Sequence, residues 1–446
     1  MWLVVCLVVA IVFIVIATSV LKLHPFLALL TAAFGFGLAA GMPLDGIIEA
    51  VNTGFGGTIG YIGIVILAGT IIGKFLEHSG GALRLAEAAL RLTGRKNVPA
   101  AMGLTGYVVS MPVFCDSGFV ILSPLNKALA HRAKITLASG AIALSLGLYA
   151  THTMVPPTPG PVAAAGIVEA DLGLVILWGL LVAFVSLIAG WLFAVGYASK
   201  FDIPPYNPDE VAQSDALRTE DAPSTFKSTL PLLLPIVLIV LRSIAQLPSQ
   251  PFGEGTATEI IGFIGQPVVA LLIGVALALT LPKSLERSML STTGWVGQAV
   301  LSAALIIIIT GSGGAFGRVL RDSGIADVIG DTLASAELGV WLPFLIAAGI
   351  KTAQGSSTVA IITTASIVAP ILASIGLDTD TGRALAVVAI GAGSMCVSHA
   401  NDSYFWVVTQ FSNMDVQTGY KLQTLGTLLQ GLTAAVTVWL LSMFVL

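Results

Sequence analysis

Charge is the scarcest commodity in this chain. Asp, Glu, Lys and Arg make up 10% of its 446 residues, against about a quarter in an ordinary soluble domain. A water-facing surface cannot be built from so few, and with 56% hydrophobic residues and a mean hydropathy of +0.95 most of the chain is expected to sit in lipid. Basic residues are scattered over short loops within a net charge of -4, which argues against nucleic acid as a partner. Cysteine is nearly absent. Cys6, Cys115 and Cys396 form no C-x-x-C pair, which removes the usual zinc and thiol-redox motifs. The first apolar run lacks a basic leader and a small-residue cleavage site, so residues 1–21 are expected to remain as a span. No His-Glu-x-x-His occurs, so a metal-dependent intramembrane hydrolase has no motif to rest on. The chain is read as a non-enzyme with no cofactor and no bound metal.

What is present has the size of a carrier: at ~20 residues per span the length accommodates about ten to twelve membrane elements. Apolar runs suited to full spans lie near 1–21, 25–42, 59–76, 173–198, 228–247, 260–281 and 422–446. One long polar stretch, 199–227, carries Pro204, Pro205, Pro208, Pro223 and the acids from Asp202 to Asp221. It reads as a linker between a first half, 1–198, and a second, 228–446.

Between the easy spans, interrupted segments recur in the same order in both halves. Gly69 to Gly311 is 242 residues, Ser79 to Ser323 is 244 and His152 to His399 is 247, which predicts an internal repeat. In each half a pair of short legs flanks a polar tip, near 98–130 and 340–373, and a helix broken by a polar patch follows, near 135–170 and 382–411. The legs 98–110 and 119–130 are each about 20 Å of helix, too short for ~30 Å of hydrocarbon. They predict a re-entrant hairpin. Arg91, Arg95, Lys96, Lys127, Arg132 and Lys134 surround its bases, which places them on the cytoplasmic side. The matching region 318–340 has only Arg318 and Arg321, so the repeats are expected to be inverted. The fold class is thus an all-α polytopic membrane protein of two inverted repeats, each with a re-entrant helical hairpin and a broken transmembrane helix.

Irregular backbone at membrane depth survives where it lines a polar cavity, so the four breaks locate the chemistry. Ser117 and Gly118 in the first tip, and Gln354, Gly355, Ser356, Ser357 and Thr358 in the second, stand where helix N-termini would meet a carboxylate. The plainer alternative is that these hydroxyls cap their own helices. Thr151, His152 and Thr153 in the first broken helix, with His399 and Asn401 in the second, complete the expected substrate contacts. Asp116, an isolated carboxylate in an apolar stretch, is the sharpest candidate for proton coupling. His152 and Asp402 are the others, since histidine changes charge near neutral pH. Glu77, Arg84, Glu87 and Arg91 have helical spacing and read as an interfacial polar face.

Pro112–Leu122 (PVFCDSGFVIL), His152–Pro161 (HTMVPPTPGP) and Ser398–Ser403 (SHANDS) resemble signature stretches of the gluconate permease family, in order and across nearly the whole chain. The resemblance implies uptake of gluconate or a related hydroxy acid with protons across the inner membrane. It also implies membership of the ion transporter superfamily, in which a dimeric scaffold carries a transport domain that moves like an elevator. Cys115, Ser117 and Thr158 depart from the family pattern towards a smaller, more polar pocket, which favours a shorter acid such as glycerate. The competing reading is a sodium-coupled carboxylate or D-amino acid carrier of the same superfamily, with proton-motive force preferred over sodium.

Overall fold

The computed structural model describes residues 2–93, 97–205, 222–245, 252–253, 255–325, 328, 338–399 and 402–446. Within them the chain is helical: α1 (Trp2–Ser19), α2 (Pro25–Ala39), α3 (Leu44–His78), α4 (Gly81–Thr93), α5 (Val98–Val109), α6 (Cys115–Ala133), α7 (Leu137–Met154), α8 (Pro159–Ile167) and α9 (Leu172–Gly196) precede the linker. After it come α10 (Thr225–Ala245), α11 (Thr256–Ile264), α12 (Pro267–Ala278), α13 (Trp295–Asp322), α14 (Trp341–Gln354), α15 (Ser357–Val368), α16 (Asp380–Met395), α17 (Ser403–Phe411) and α18 (Val416–Val445). Among the described residues four helices are long and apolar enough to cross a bilayer, or six if each of two bent pairs is one span.

Four apolar runs depart from the simple spans expected of them: 1–21 and 25–42 form helices of only 18 and 15 residues, and the other two are bent. The run 260–281 is a pair, α11 and α12, bent by 66°, because Gly265-Gln266-Pro267 ends one helix and Pro267, lacking an N–H, opens the next. The run 59–76 belongs to a helix that starts at Leu44 and is 35 residues long, about 52 Å at 1.5 Å per residue. Its bend of 42° falls between Tyr61 and Gly63. The Gly- and Thr-rich first half of α3 is too polar to read as a span, yet it packs along α13, where the small residues Gly54 and Gly314 bring the two backbones together. The polar stretch 199–227 lies mostly outside the described residues. Its start is fastened to α7, where the Thr136 hydroxyl donates to the Phe201 carbonyl at 2.6 Å, and the carbonyls of Ala222 and Pro223 accept from the Arg84 guanidinium.

The interior is organised around α7 and α16. Every residue of α7 is buried, as expected of a helix that is apolar on all sides, and α16 is buried from Ala384 to Met395. Small residues let their neighbours approach: a Cβ on Gly147 of α7 would lie 2.1 Å from the Gly103 carbonyl oxygen of α5. From outside, α3 backs onto two helix breaks at once. Its Gly69 faces the Pro157 carbonyl and its Gly73 the Pro112 carbonyl, where a Cβ would stand 3.0 Å and 2.2 Å from the respective oxygens.

Candidate functional site

Four interruptions of helix meet in this interior, between α5 and α6, α7 and α8, α14 and α15, and α16 and α17. Each has a local cause. Between α5 and α6 the Ser110 hydroxyl donates to the Val113 carbonyl at 3.0 Å, and α6 starts at Cys115, with Phe114 at the capping position. Asp116 is the second residue of the helix, where a carboxylate meets the positive end of the dipole. The α7–α8 break covers Val155 to Thr158; Pro159 and Pro161 lie inside α8, tolerated because first-turn N–H groups have no partner in the helix. Gly355 ends α14 at φ +90°, a conformation suited to glycine, and the Ser356 hydroxyl accepts from Val359 N at 3.3 Å to open α15.

The α16–α17 break is held by α18. Ser398 N donates to Thr427 Oγ1 at 3.1 Å and Thr424 Oγ1 donates to the Ser398 carbonyl at 2.5 Å, so backbone groups freed by the break are satisfied in the protein. Val397 next to it has φ +54°, a strained setting for a β-branched residue that costs about 1–3 kcal/mol.

At the centre lies an ion pair. Lys351 Nζ of α14 donates to Asp402 Oδ2 at 2.6 Å, with side-chain exposures of 0% and 5%, and also to the Gly355 carbonyl. Asp402 Oδ2 further accepts from Ser398 Oγ at 2.5 Å and from the Tyr149 hydroxyl at 3.3 Å. Asp402 Oδ1 caps α17 by accepting from Tyr404 N at 3.1 Å. Tyr149 OH shares a hydrogen bond with Ser357 Oγ at 2.6 Å, and Tyr404 OH donates to the Ser145 carbonyl at 3.0 Å. The α14–α15 and α16–α17 breaks are thus tied to each other and to α7 through one carboxylate and one tyrosine.

Asp116 and His152 border this cluster. Both lie within electrostatic reach of Asp402 and Lys351. Asp116 Oδ1 and His152 Nδ1 are buried without a hydrogen-bond partner, and the His152 ring lies 6.0 Å from that of Phe114 at the α6 cap. The other expected residues divide. Ser357 joins the network; Ser356 caps α15; Ser117 and Thr358 are half-buried beside the helix starts. The Thr151 and Thr153 hydroxyls donate back to carbonyls of their own helix, at 3.5 Å and 3.1 Å. Gly118 is a packing position, where a Cβ would meet Leu148 Cδ2 at 2.7 Å. His399 Nε2 lies 2.9 Å from the Thr352 carbonyl oxygen, which fastens the α16–α17 break to α14. Asn401 and the side chain of Gln354 lie outside the described residues. Sequence reasoning missed Lys351, Tyr149 and Ser398. The signal for Lys351 was there, since a lone cation in the apolar stretch WLPFLIAAGIKTAQ demands a buried partner.

Away from this centre, Glu169 in the α8–α9 loop bridges Arg321 at the end of α13, at 3.0 Å, and Arg383 at the start of α16, at 3.6 Å. The hydrogen bond from Arg321 holds its carboxyl below the ordinary carboxylate value, with Arg383 adding to the effect.

The family described as GntP family permease matches residues 2–444. A gluconate permease of Pseudomonas aeruginosa is 37% identical over 95% of this chain and 93% of its own length. The D-serine transporter DsdX of Escherichia coli is 34% identical over 100% of this chain and 99% of its own. The crystal structure of the Alcanivorax borkumensis YdaH transporter shares the fold, with a TM-score of 0.66 at 16% identity over 95% of this chain and 99% of that one. Taken with the apolar helices, these likenesses identify a multi-pass inner-membrane transporter rather than an enzyme, and the chain belongs to the GntP family of permeases.

Proposed function

We propose that the chain imports a small hydroxy-carboxylate, gluconate or a shorter acid such as glycerate, together with a proton. The observation that carries this reading is the buried cluster of Lys351, Asp402 and Asp116. It holds one cation against two carboxylates, so an arriving anion adds negative charge to a low-dielectric site already short of positive charge. A proton taken up with each anion removes the excess. The proton route is assigned to Asp116, His152 and Asp402. The substrate contacts are assigned to Ser117, Ser356, Ser357 and Thr358 at the two helix starts, with Gly118, Thr151, Thr153, Gln354, Gly355, His399 and Asn401 around them. A D-amino acid such as D-serine is the second reading, favoured by the full-length likeness to a D-serine transporter, since it too offers a carboxylate beside a hydroxyl.

The movement we assign is elevator-like. Two inverted repeats, 1–198 and 228–446, each contribute a re-entrant hairpin (98–130 and 340–373) and a broken helix (135–170 and 382–411) to a moving body, and the long helices form the scaffold of a homodimer. The convergence of the helix breaks on one charge cluster supports this, because such backbone is tolerated where it faces a polar path. The test is uptake of labelled gluconate into proteoliposomes under an inward proton gradient without sodium, competed by glycerate, lactate, D-serine and citrate. Accumulation that a protonophore abolishes, and that one competitor blocks, is the expected result. No uptake and no ligand-induced rise in melting temperature sinks the proposal; uptake that requires sodium at fixed pH transfers it to sodium coupling.

A further inference from the structure

We infer that Lys351 binds the substrate's carboxylate, and that the substrate reaches Lys351 by displacing Asp402, which then holds the coupled proton. The inference rests on the transport reading above and names the residue that makes the site selective for an acid. It starts from an asymmetry in the pair. Lys351 is fully buried on an otherwise uncharged helix, and its one carboxylate partner comes from a break 51 residues further along the chain. Freed of Asp402, the ammonium keeps the Gly355 carbonyl and the Tyr149 ring, 5.9 Å away at its centroid, with no carboxylate hydrogen-bonded to it. Asp402 stands differently. Without Lys351 it retains Ser398 Oγ, Tyr149 OH and Tyr404 N.

Two of those partners are hydroxyls, which accept as readily as they donate. A protonated Asp402 can therefore donate through Oδ2 to Ser398 or Tyr149 while Oδ1 still caps α17. Tyr149 in turn can donate to Ser357 Oγ, 2.6 Å away. The carboxyl is built to be satisfied in either state, whereas the lysine is satisfied only by an anion. A substrate carboxylate fits that vacancy.

The titratable and charged groups facing the pair are Cys115 and Asp116 from α6, Tyr149 and His152 from α7, Tyr404 from α17, and Cys396 from the α16–α17 break. Among these described residues none is another lysine or arginine. Exchange of partners leaves the charge of the cluster unchanged: the substrate brings one negative charge to Lys351, and the proton, drawn from the outer aqueous side, cancels one on Asp402. On the cytoplasmic side the acid leaves, the proton follows from Asp402, and the Lys351–Asp402 pair re-forms. Transport of the anion without the proton would set the substrate's carboxylate, Asp402 and Asp116 against one ammonium.

The test compares gluconate with its neutral amide, gluconamide, for equilibrium binding and for gradient-driven uptake in proteoliposomes. The variants are Asp402→Asn, Lys351→Arg and the charge-neutral pair Lys351→Met with Asp402→Asn, which removes the ion pair without orphaning either of its members. Wild-type protein that neither binds nor accumulates any acid refutes the transport reading itself. Where wild type does transport, the double variant is expected to bind gluconate about 100-fold more weakly with gluconamide binding unchanged, and Lys351→Arg to restore the preference for the acid. Asp402→Asn is expected to abolish accumulation under the proton gradient while counterflow exchange of gluconate continues. A double variant that still prefers the acid overturns the role of Lys351. Accumulation by Asp402→Asn, or loss of its counterflow together with its accumulation, overturns the role of Asp402.

Discussion

Replacing Gly73 by alanine exchanges one hydrogen for a methyl group in the middle of α3, a change that helix propensity alone would favour by roughly 0.5–1 kcal/mol. The structure reverses the sign. The new Cβ would stand 2.2 Å from the Pro112 carbonyl oxygen, 3.2 Å from the carbonyl carbon and 3.7 Å from Val113 Cα, where non-bonded carbon contacts settle at about 3.5 Å. The obstacle is backbone in the turn between α5 and α6, which has no rotamer to change. Helix and turn must separate by more than ~1 Å, and overpacking of this kind costs about 1–3 kcal/mol. Gly60 in the same helix is the control, since a Cβ there meets nothing within 4 Å. Gly60→Ala is expected to melt at or above wild type in detergent, and Gly73→Ala below it, with a gap of about 1–3 kcal/mol between the two, since the propensity gain is common to both. Because Pro112 leads directly to Asp116, uptake should fall with Gly73→Ala and hold with Gly60→Ala. Equal melting temperatures for the two variants would refute the close approach of α3 to this turn.

Asp116→Asn is expected to abolish proton-driven accumulation while counterflow exchange continues in part; wild-type accumulation in that variant removes Asp116 from the proton route. Asp171 Oδ1 accepts from Leu174 N at 2.8 Å and from Ser243 Oγ at 2.7 Å, so Asp171→Ala should lower stability by about 1–2 kcal/mol, and Asp171→Asn should recover most of it. An alanine variant that melts with wild type rules out the cap. Glu169, held below its ordinary value of 4.5 by Arg321 and Arg383, contributes stability that is present above that value and is lost as pH falls through the lower folded-state one. With its side chain 60% exposed the effect is less than ~1 kcal/mol. Melting of wild type relative to Glu169→Gln should therefore drop on acidification, and parallel pH profiles would exclude the bridge.

Much of the architecture was legible because membrane chemistry punishes irregularity. Proline, glycine and hydroxyl residues in apolar runs marked the places where helix stops: Ser110 to Phe114, Val155 to Thr158, Gly355 and Ser356, and Cys396 to His399. The family, too, was legible, from three stretches that lie at those breaks. What escaped was contact across the fold. Lys351 carried no neighbour in sequence to explain it, yet its partner was Asp402, already singled out. Tyr149 looked like one more apolar residue of a buried helix; its hydroxyl turned out to join α7 to both α15 and the α16–α17 break. The first half of α3 was missed because its glycines and threonines lower hydropathy, although small residues are what allow it to lie against α13.

The Lys351–Asp402 pair also has a consequence for how the protein is made. A ribosome adding about 5–20 residues per second delivers Lys351 well before its counter-ion, which lies 51 residues downstream. For about 3–10 s the newly inserted helix carries a naked ammonium that lipid penalises by about 2.5–3.5 kcal/mol. The α14–α15 segment therefore cannot settle among the finished helices until α17 has emerged, and final assembly waits on the last portion of the chain. Truncation before Asp402 should leave a nascent protein that quality-control proteases recognise, whereas truncation in a Lys351→Met background should survive longer.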